Sequence, residues 1–240
     1  MTDEMFCFQC QQTAHNEKCN GKAGVCGKKS DTAKAQDELI GALIGLAKAA
    51  EYGTPTDSTD RLVLKGLFTT ITNVNFNTHT VKELTAEVKD EKRRIYKNHV
   101  DDYELSRLWE AGEDIRSLKS LILFGIKGMA AYAYHALALG KTDSEINAFF
   151  YTALRAIEGE NDPDKLLRLV LKTGEVNFKC MALLDNANTE SYGDPVPTVV
   201  PLTIEKGPFI VVSGHDLHDL KLLLEQTEGK GINIYTHSEM

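Results

Sequence analysis

Four of the five cysteines crowd into one stretch near the start of the chain. Cys7, Cys10, Cys19 and Cys26 form a C-x2-C-x8-C-x6-C array. Gln, Thr, Asn, Gly and Lys fill the gaps without an apolar period, so this segment cannot bury enough surface to fix its own shape. Four thiolates converging on one centre would hold it. A structural zinc site favours two closely spaced pairs, and only Cys7 and Cys10 make such a pair. A disulfide frame needs an oxidising compartment. Met1 to Met5 shows neither the basic nor the apolar part of a secretion signal, so a cytoplasmic chain with reduced thiols is expected. An iron–sulfur cluster takes four thiolates from one short loop, and Gly21, Gly24 and Gly27 would let backbone N–H groups reach the sulfurs. On spacing alone the cluster leads, with zinc and a bland thiol-rich loop left open.

A second candidate lies at the other end. Phe209-Ile210-Val211-Val212 reads as a buried parallel strand and Ser213-Gly214-His215-Asp216 as a tight turn. Leu217 to Thr227 is amphipathic, and Ile232-Asn233-Ile234-Tyr235 is a second strand. In open α/β sheets functional groups collect beyond the carboxyl ends of strands. His215 follows the first strand and Thr236-His237-Ser238-Glu239-Met240 the second. An imidazole and a carboxylate side by side could ligate a metal, although a surface histidine is the commoner outcome. Asp216 reads as a helix cap and His218 as an exposed first-turn residue. Cys180, between Phe178 and Met181, reads as core, and His135 as a hydrogen-bonded core histidine. His15 is either solvent-exposed or a donor to the cysteine loop. His79 and His99 sit at helix boundaries, and Trp109 is packing.

The elements that must position these groups are mostly helical. Apolar residues recur at helical spacing over about 30–52, 60–73, 80–99, 113–140, 142–158 and 163–184. Ser30-Asp31-Thr32, Glu113-Asp114 and Pro163 supply starts, and Gly53 and Gly140 supply stops. The charges from Lys82 to Arg94 read as a solvated face. The domains expected are a cluster loop at 1–30, a helical bundle at 31–186, a proline-bearing linker at 187–207, and the opening β-α-β unit of a Rossmann-like domain at 208–240. The fold class is thus mainly α, with the start of an α/β domain. One such unit cannot cover both faces of a parallel sheet, so a partner chain or further sequence is expected to complete it.

Composition restricts the function. The chain has 240 residues, enough for a substantial core, and a formal net charge of −8. That balance argues against a nucleic-acid partner, which would require a basic stripe. The nearest approach to a membrane span, Leu121 to Leu139, contains Lys127 and His135 and reads better as a buried bundle helix.

The run Phe6-Cys7-Phe8-Gln9-Cys10-Gln11-Gln12-Thr13-Ala14, with Cys19 and Gly24-Val25-Cys26-Gly27-Lys28, strongly resembles the amino terminus of the hybrid cluster proteins. These are also called prismane proteins or hydroxylamine reductases. Gly66 to Asn73, Ser213 to Leu217, Leu224 to Gly229 and Ile234 to Met240 are similar to further stretches of that family, in the same order.

The resemblance implies that Cys7, Cys10, Cys19 and Cys26 hold a [4Fe-4S] cluster, or [2Fe-2S] in some members. It implies that His215 and Glu239 are two ligands of a second, hybrid [4Fe-2O-2S] cluster lying between domains. It further implies reduction of hydroxylamine to ammonia with electrons relayed from the first cluster, links to nitric oxide and nitrosative stress, and a redox donor protein. Members are much longer, and the remaining ligands of the hybrid cluster come from later domains. The expectation is therefore a chain that holds the first cluster but turns over only with the missing portion. An electron-transfer module or a zinc-stabilised helical protein without catalysis are the alternatives.

Overall fold

The computed structural model describes residues 6–7, 10, 18–71 and 74–237. These fall into two compact units, Met1–Asp194 and Pro195–Met240.

The first unit is helical. Its helices are α1 (Ser30–Tyr52), α2 (Asp57–Thr69), α3 (Thr78–Ile95), a single turn α4 (Ser106–Trp109), α5 (Glu113–Ala138), α6 (Ser144–Gly159) and α7 (Pro163–Tyr192). α1 runs through the middle. Leu39, Ile40, Leu43, Ile44 and Leu46 are all inaccessible to solvent, and each such side chain contributes about 1.5–3 kcal/mol relative to exposure. Glycines allow the close packing around it. A Cβ on Gly41 would lie 2.1 Å from the Tyr103 carbonyl oxygen, and one on Gly53 would lie 2.3 Å from that of Ile95. α3, α2 and α6 surround α1, while α5 packs along α7 and α2.

Helix ends follow side-chain chemistry more than periodicity. α2 starts at Asp57, three residues before the expected Asp60, because Thr56 and Thr59 form a reciprocal capping box. Asn77, Asp143 and Asp162 each accept two backbone N–H groups at the starts of α3, α6 and α7. α3 stops at Ile95 rather than His99. The Lys29 position caps α1 without a side-chain bond, so the expected Ser30–Thr32 caps lie inside the helix.

α7 continues to Tyr192, past the expected 184, and the boundary between units falls after Asp194 instead of at 186. Ala187 is still buried, so packing carries the helix on. Gly193, at φ +87°, and then Pro195 end it. α5 is long and apolar enough to cross a membrane by length and composition. Its Ile122, Leu123, Ile126, Met129 and Ala130 belong instead to the main core.

The second unit contains β1 (Phe209–Ser213), α8 (Leu217–Thr227) and β2 (Asn233–His237). β1 and β2 are parallel, with Ser213 opposite His237. The strands do not have the buried character expected of β1: Phe209 and Val211 are 62% and 60% exposed, and α8 buries no residue fully. One helix cannot cover two sheet faces, so the apolar residues here lack a complete second layer.

Candidate metal centre

The cysteine stretch is held by backbone bonds. Cys7 N–H donates to the Cys19 carbonyl at 2.9 Å and Cys19 N–H to that of Cys7 at 2.8 Å, which ties the start of the loop to its middle. Ala23 and Lys29 form a second bridge. Inside it Gly24 N–H donates to the Lys28 carbonyl at 2.8 Å and Gly27 N–H to that of Gly24 at 2.9 Å. Gly27 has φ +84°, a conformation that favours glycine. The expectation that glycine N–H groups reach the sulfurs is therefore not met at Gly24 or Gly27, whose donors are committed to carbonyls.

Gly24 instead keeps space free. A Cβ there would lie 3.6 Å from Cys26 Sγ and 3.7 Å from Cys19 Sγ, so the two sulfurs flank the same point. Cys7 and Ala33 of α1 pack against Cys19, and Cys10 is half-buried. The Phe6 ring lies 5.7 Å from Trp109, whose ring is 6.5 Å from Phe124 of α5. That contact anchors the loop's leading edge to the helical core and agrees with the packing role expected of Trp109.

None of the five cysteines is in a disulfide. Among the described residues no three His, Cys, Asp or Glu side chains gather as they would around a single ion. The donor set itself suits a soft or polynuclear centre: four thiols outside any disulfide, buried or half-buried, on a loop whose chain is pinned twice and relieved of a side chain beside two sulfurs.

Two buried lysines were not read as site residues from the sequence. Lys28 is 1% exposed, and its Nζ donates to Gln36 Oε1 of α1 at 2.6 Å. Lys127, in the middle of α5, is 5% exposed. Burial, then repulsion from Lys28, brings its pKa down to about 7 against the pull of Asp37 and Cys7. The only signal was a charge inside an otherwise apolar helix. Cys180 is buried as expected, its thiol pushed up to about 11 by burial first and then by Asp143. His135 is exposed, contrary to expectation, with Phe68 edge-on at 5.6 Å. His79 and His99 are exposed beside Glu83 and Asp101. His15 lies outside the described residues.

At the carboxyl ends of the two strands, His237 Nδ1 and Ser213 Oγ are 3.1 Å apart. Thr236 and His237 belong to β2 itself, not to the segment after it. His215 is exposed two residues beyond β1, and Asp216 caps α8 by accepting from His218 and Asp219. Glu239 lies outside the described residues. The structure thus brings His215 and His237 to one end of the sheet.

The Prismane/CO dehydrogenase family matches residues 5–240, nearly the whole chain. The chain belongs to that family. Relatives within reach of this prismane-family chain are named hydroxylamine reductase. One from Halothermothrix orenii is 43% identical over 272 aligned positions, covering 98% of this chain and 49% of the relative. Those from Solidesulfovibrio magneticus and Thermodesulfovibrio yellowstonii are 46% and 44% identical, again over 98% of this chain and 49% of theirs. The chain therefore spans about half the length of the curated relatives it matches.

Proposed function

We propose that this chain is the electron-relay half of a hydroxylamine-reducing oxidoreductase of the hybrid cluster type. Cys7, Cys10, Cys19 and Cys26 hold an iron–sulfur cluster, [4Fe-4S] or [2Fe-2S]. The observation that carries the reading is the pinned loop, in which Cys7 is bonded to Cys19 and the Cys19 and Cys26 sulfurs flank Gly24. The relatives' shared name supports the substrate class.

The cluster supplies one-electron storage when bound. The chain's own residues do the rest. The thiols grip it, Phe6 and Trp109 shield one side, and the loop backbone fixes Cys7 against Cys19. His215 and Glu239 contribute to a second, hybrid [4Fe-2O-2S] site completed by sequence beyond this half, within a Rossmann-like domain of which β1-α8-β2 is the opening. That site would supply electrons for the reduction of hydroxylamine, which takes two electrons and two protons to cleave N–O and give ammonia and water. A redox protein donates the electrons, the setting is cytoplasmic, and nitric oxide is a related substrate under nitrosative stress.

Anaerobic purification with iron and sulfide analysis and EPR tests the reading. The expected result is iron and acid-labile sulfide in near-equal amounts, with an EPR signal on reduction. Each of Cys7→Ser, Cys10→Ser, Cys19→Ser and Cys26→Ser should diminish both, while Cys180→Ser should not. Zinc without sulfide, or a folded chain that takes up neither metal, overturns the proposal.

A further inference from the structure

We propose that Lys28 is a positioning residue for the centre the cysteine loop binds: anchored on Gln36 of α1, its side chain fixes the turn carrying Cys26 against Cys19. The inference rests on the iron–sulfur reading above.

The two cysteines are held in different ways. Cys19 is 6% exposed, packed on Ala33 of α1 and paired with Cys7 through the backbone. Cys26 sits in a turn that closes on itself. Gly24 N–H donates to the Lys28 carbonyl, Gly27 N–H to that of Gly24, and Ala23 bridges to Lys29. These bonds shape the turn, but packing does little to support it. Val25 is 63% exposed, and a Cβ on Gly27 would meet nothing within 4 Å. From Asn20 to Asp31 the one buried residue is Lys28.

A lysine is almost never fully buried unless its polar end is paired. Lys28 Nζ donates to Gln36 Oε1 at 2.6 Å. Gln36, itself inaccessible to solvent, donates from Nε2 to the Asn75 carbonyl at 3.0 Å. One side chain thus runs from the turn to α1 and, through Gln36, to the segment before α3. The backbone of Lys28 meanwhile borders the site. Its carbonyl oxygen, like the Cys19 and Cys26 sulfurs, lies within 4 Å of the point a Gly24 Cβ would occupy. Cutting the Lys28–Gln36 bond frees the turn, and Cys26 with it, while Cys19 stays in place.

Alkylation of the metal-free full chain by iodoacetamide, followed residue by residue by mass spectrometry, tests this. Lys28→Met keeps an unbranched stem without the hydrogen bond. In that variant Cys26 should react at least about tenfold faster than in wild type, the weight of one hydrogen bond to a charged group. Cys180 should be unaffected. Loss of a cation alone would slow Cys26, since it disfavours the thiolate, so a faster rate reports exposure. After anaerobic loading, Lys28→Met should also lose iron to a chelator faster, at a temperature where the chain stays folded. Gln36→Glu separates positioning from stability. It keeps the acceptor for Lys28 but sets an oxygen against the Asn75 carbonyl, so Tm should fall while Cys26 alkylation and iron loss stay as in wild type. If Lys28→Met does not fold, Gln36→Met removes the same bond from the other side.

An unchanged Cys26 rate in Lys28→Met, or a Gln36→Glu chain whose Cys26 reacts as fast as in that variant, overturns this inference alone. Wild-type chain that takes up no iron or sulfide overturns the proposed function, and the alkylation result still decides whether Lys28 holds Cys26.

Discussion

At the scale of single residues, the two cysteine environments make opposite demands on the same side chain. Cys180 sits in the helical core, where burial favours the neutral thiol. It should resist iodoacetamide at pH 8 in the folded chain and react only on unfolding, which mass spectrometry of alkylated peptides will show. Gly24 is the complementary case. Its missing side chain leaves room beside two sulfurs at ordinary contact distance. Gly24→Ala should therefore retain most of its iron, whereas Gly24→Leu should push the sulfurs apart and lose at least half, measured by iron and sulfide content. The array of four cysteines was legible because thiol spacing is written in the chain. The burial of Lys28 and Lys127 was not, since it depends on which helices pack over them rather than on neighbours in sequence.

Among the elements, α1 shows how backbone proximity decides stability. Gly41 gives its carbonyl to Tyr103 N–H at 3.1 Å and has no space for a methyl group. Gly41→Ala should cost about 2–3 kcal/mol or more, read as a lowered denaturation midpoint. Electrostatics join α2 to α3 at Glu91, which accepts from Arg94 and Thr59. The Arg94 bond chiefly holds this carboxyl below its ordinary range. A depressed folded-state pKa contributes stability above the unfolded-state value that is lost as pH falls through the folded one. Glu91→Gln should therefore destabilise the chain near pH 7, and the difference from wild type should shrink towards zero below about pH 4. Thermal unfolding across that range checks it.

For the whole molecule, the two units differ in how far they satisfy themselves. The helical unit has one large core, with Phe150, Leu108 and Leu154 wholly or almost wholly buried, beside a small cluster of Cys19 and Ala33. The β-α-β unit leaves most of its strand residues exposed to some degree. The segment between Tyr192 and Phe209 is exposed throughout and carries four of the six prolines. Trypsin should cut first after Lys206, releasing a helical fragment that retains the cysteine loop, its Tm nearly that of the intact chain. Calorimetry of the purified fragment tests this.

Local chemistry in the sequence determined where helices run, that strands come last, which thiols belong together, and that Asp216 would cap a helix. Those features depend on neighbours a few residues apart, through periodicity, capping and spacing. Tertiary structure decided how far α7 extends, why Gly24 and Gly41 are glycine, that His135 faces outward, and that Lys28 and Lys127 are buried. Each of these depends on surfaces meeting across long stretches of chain, where burial and charge are set by whatever element arrives opposite.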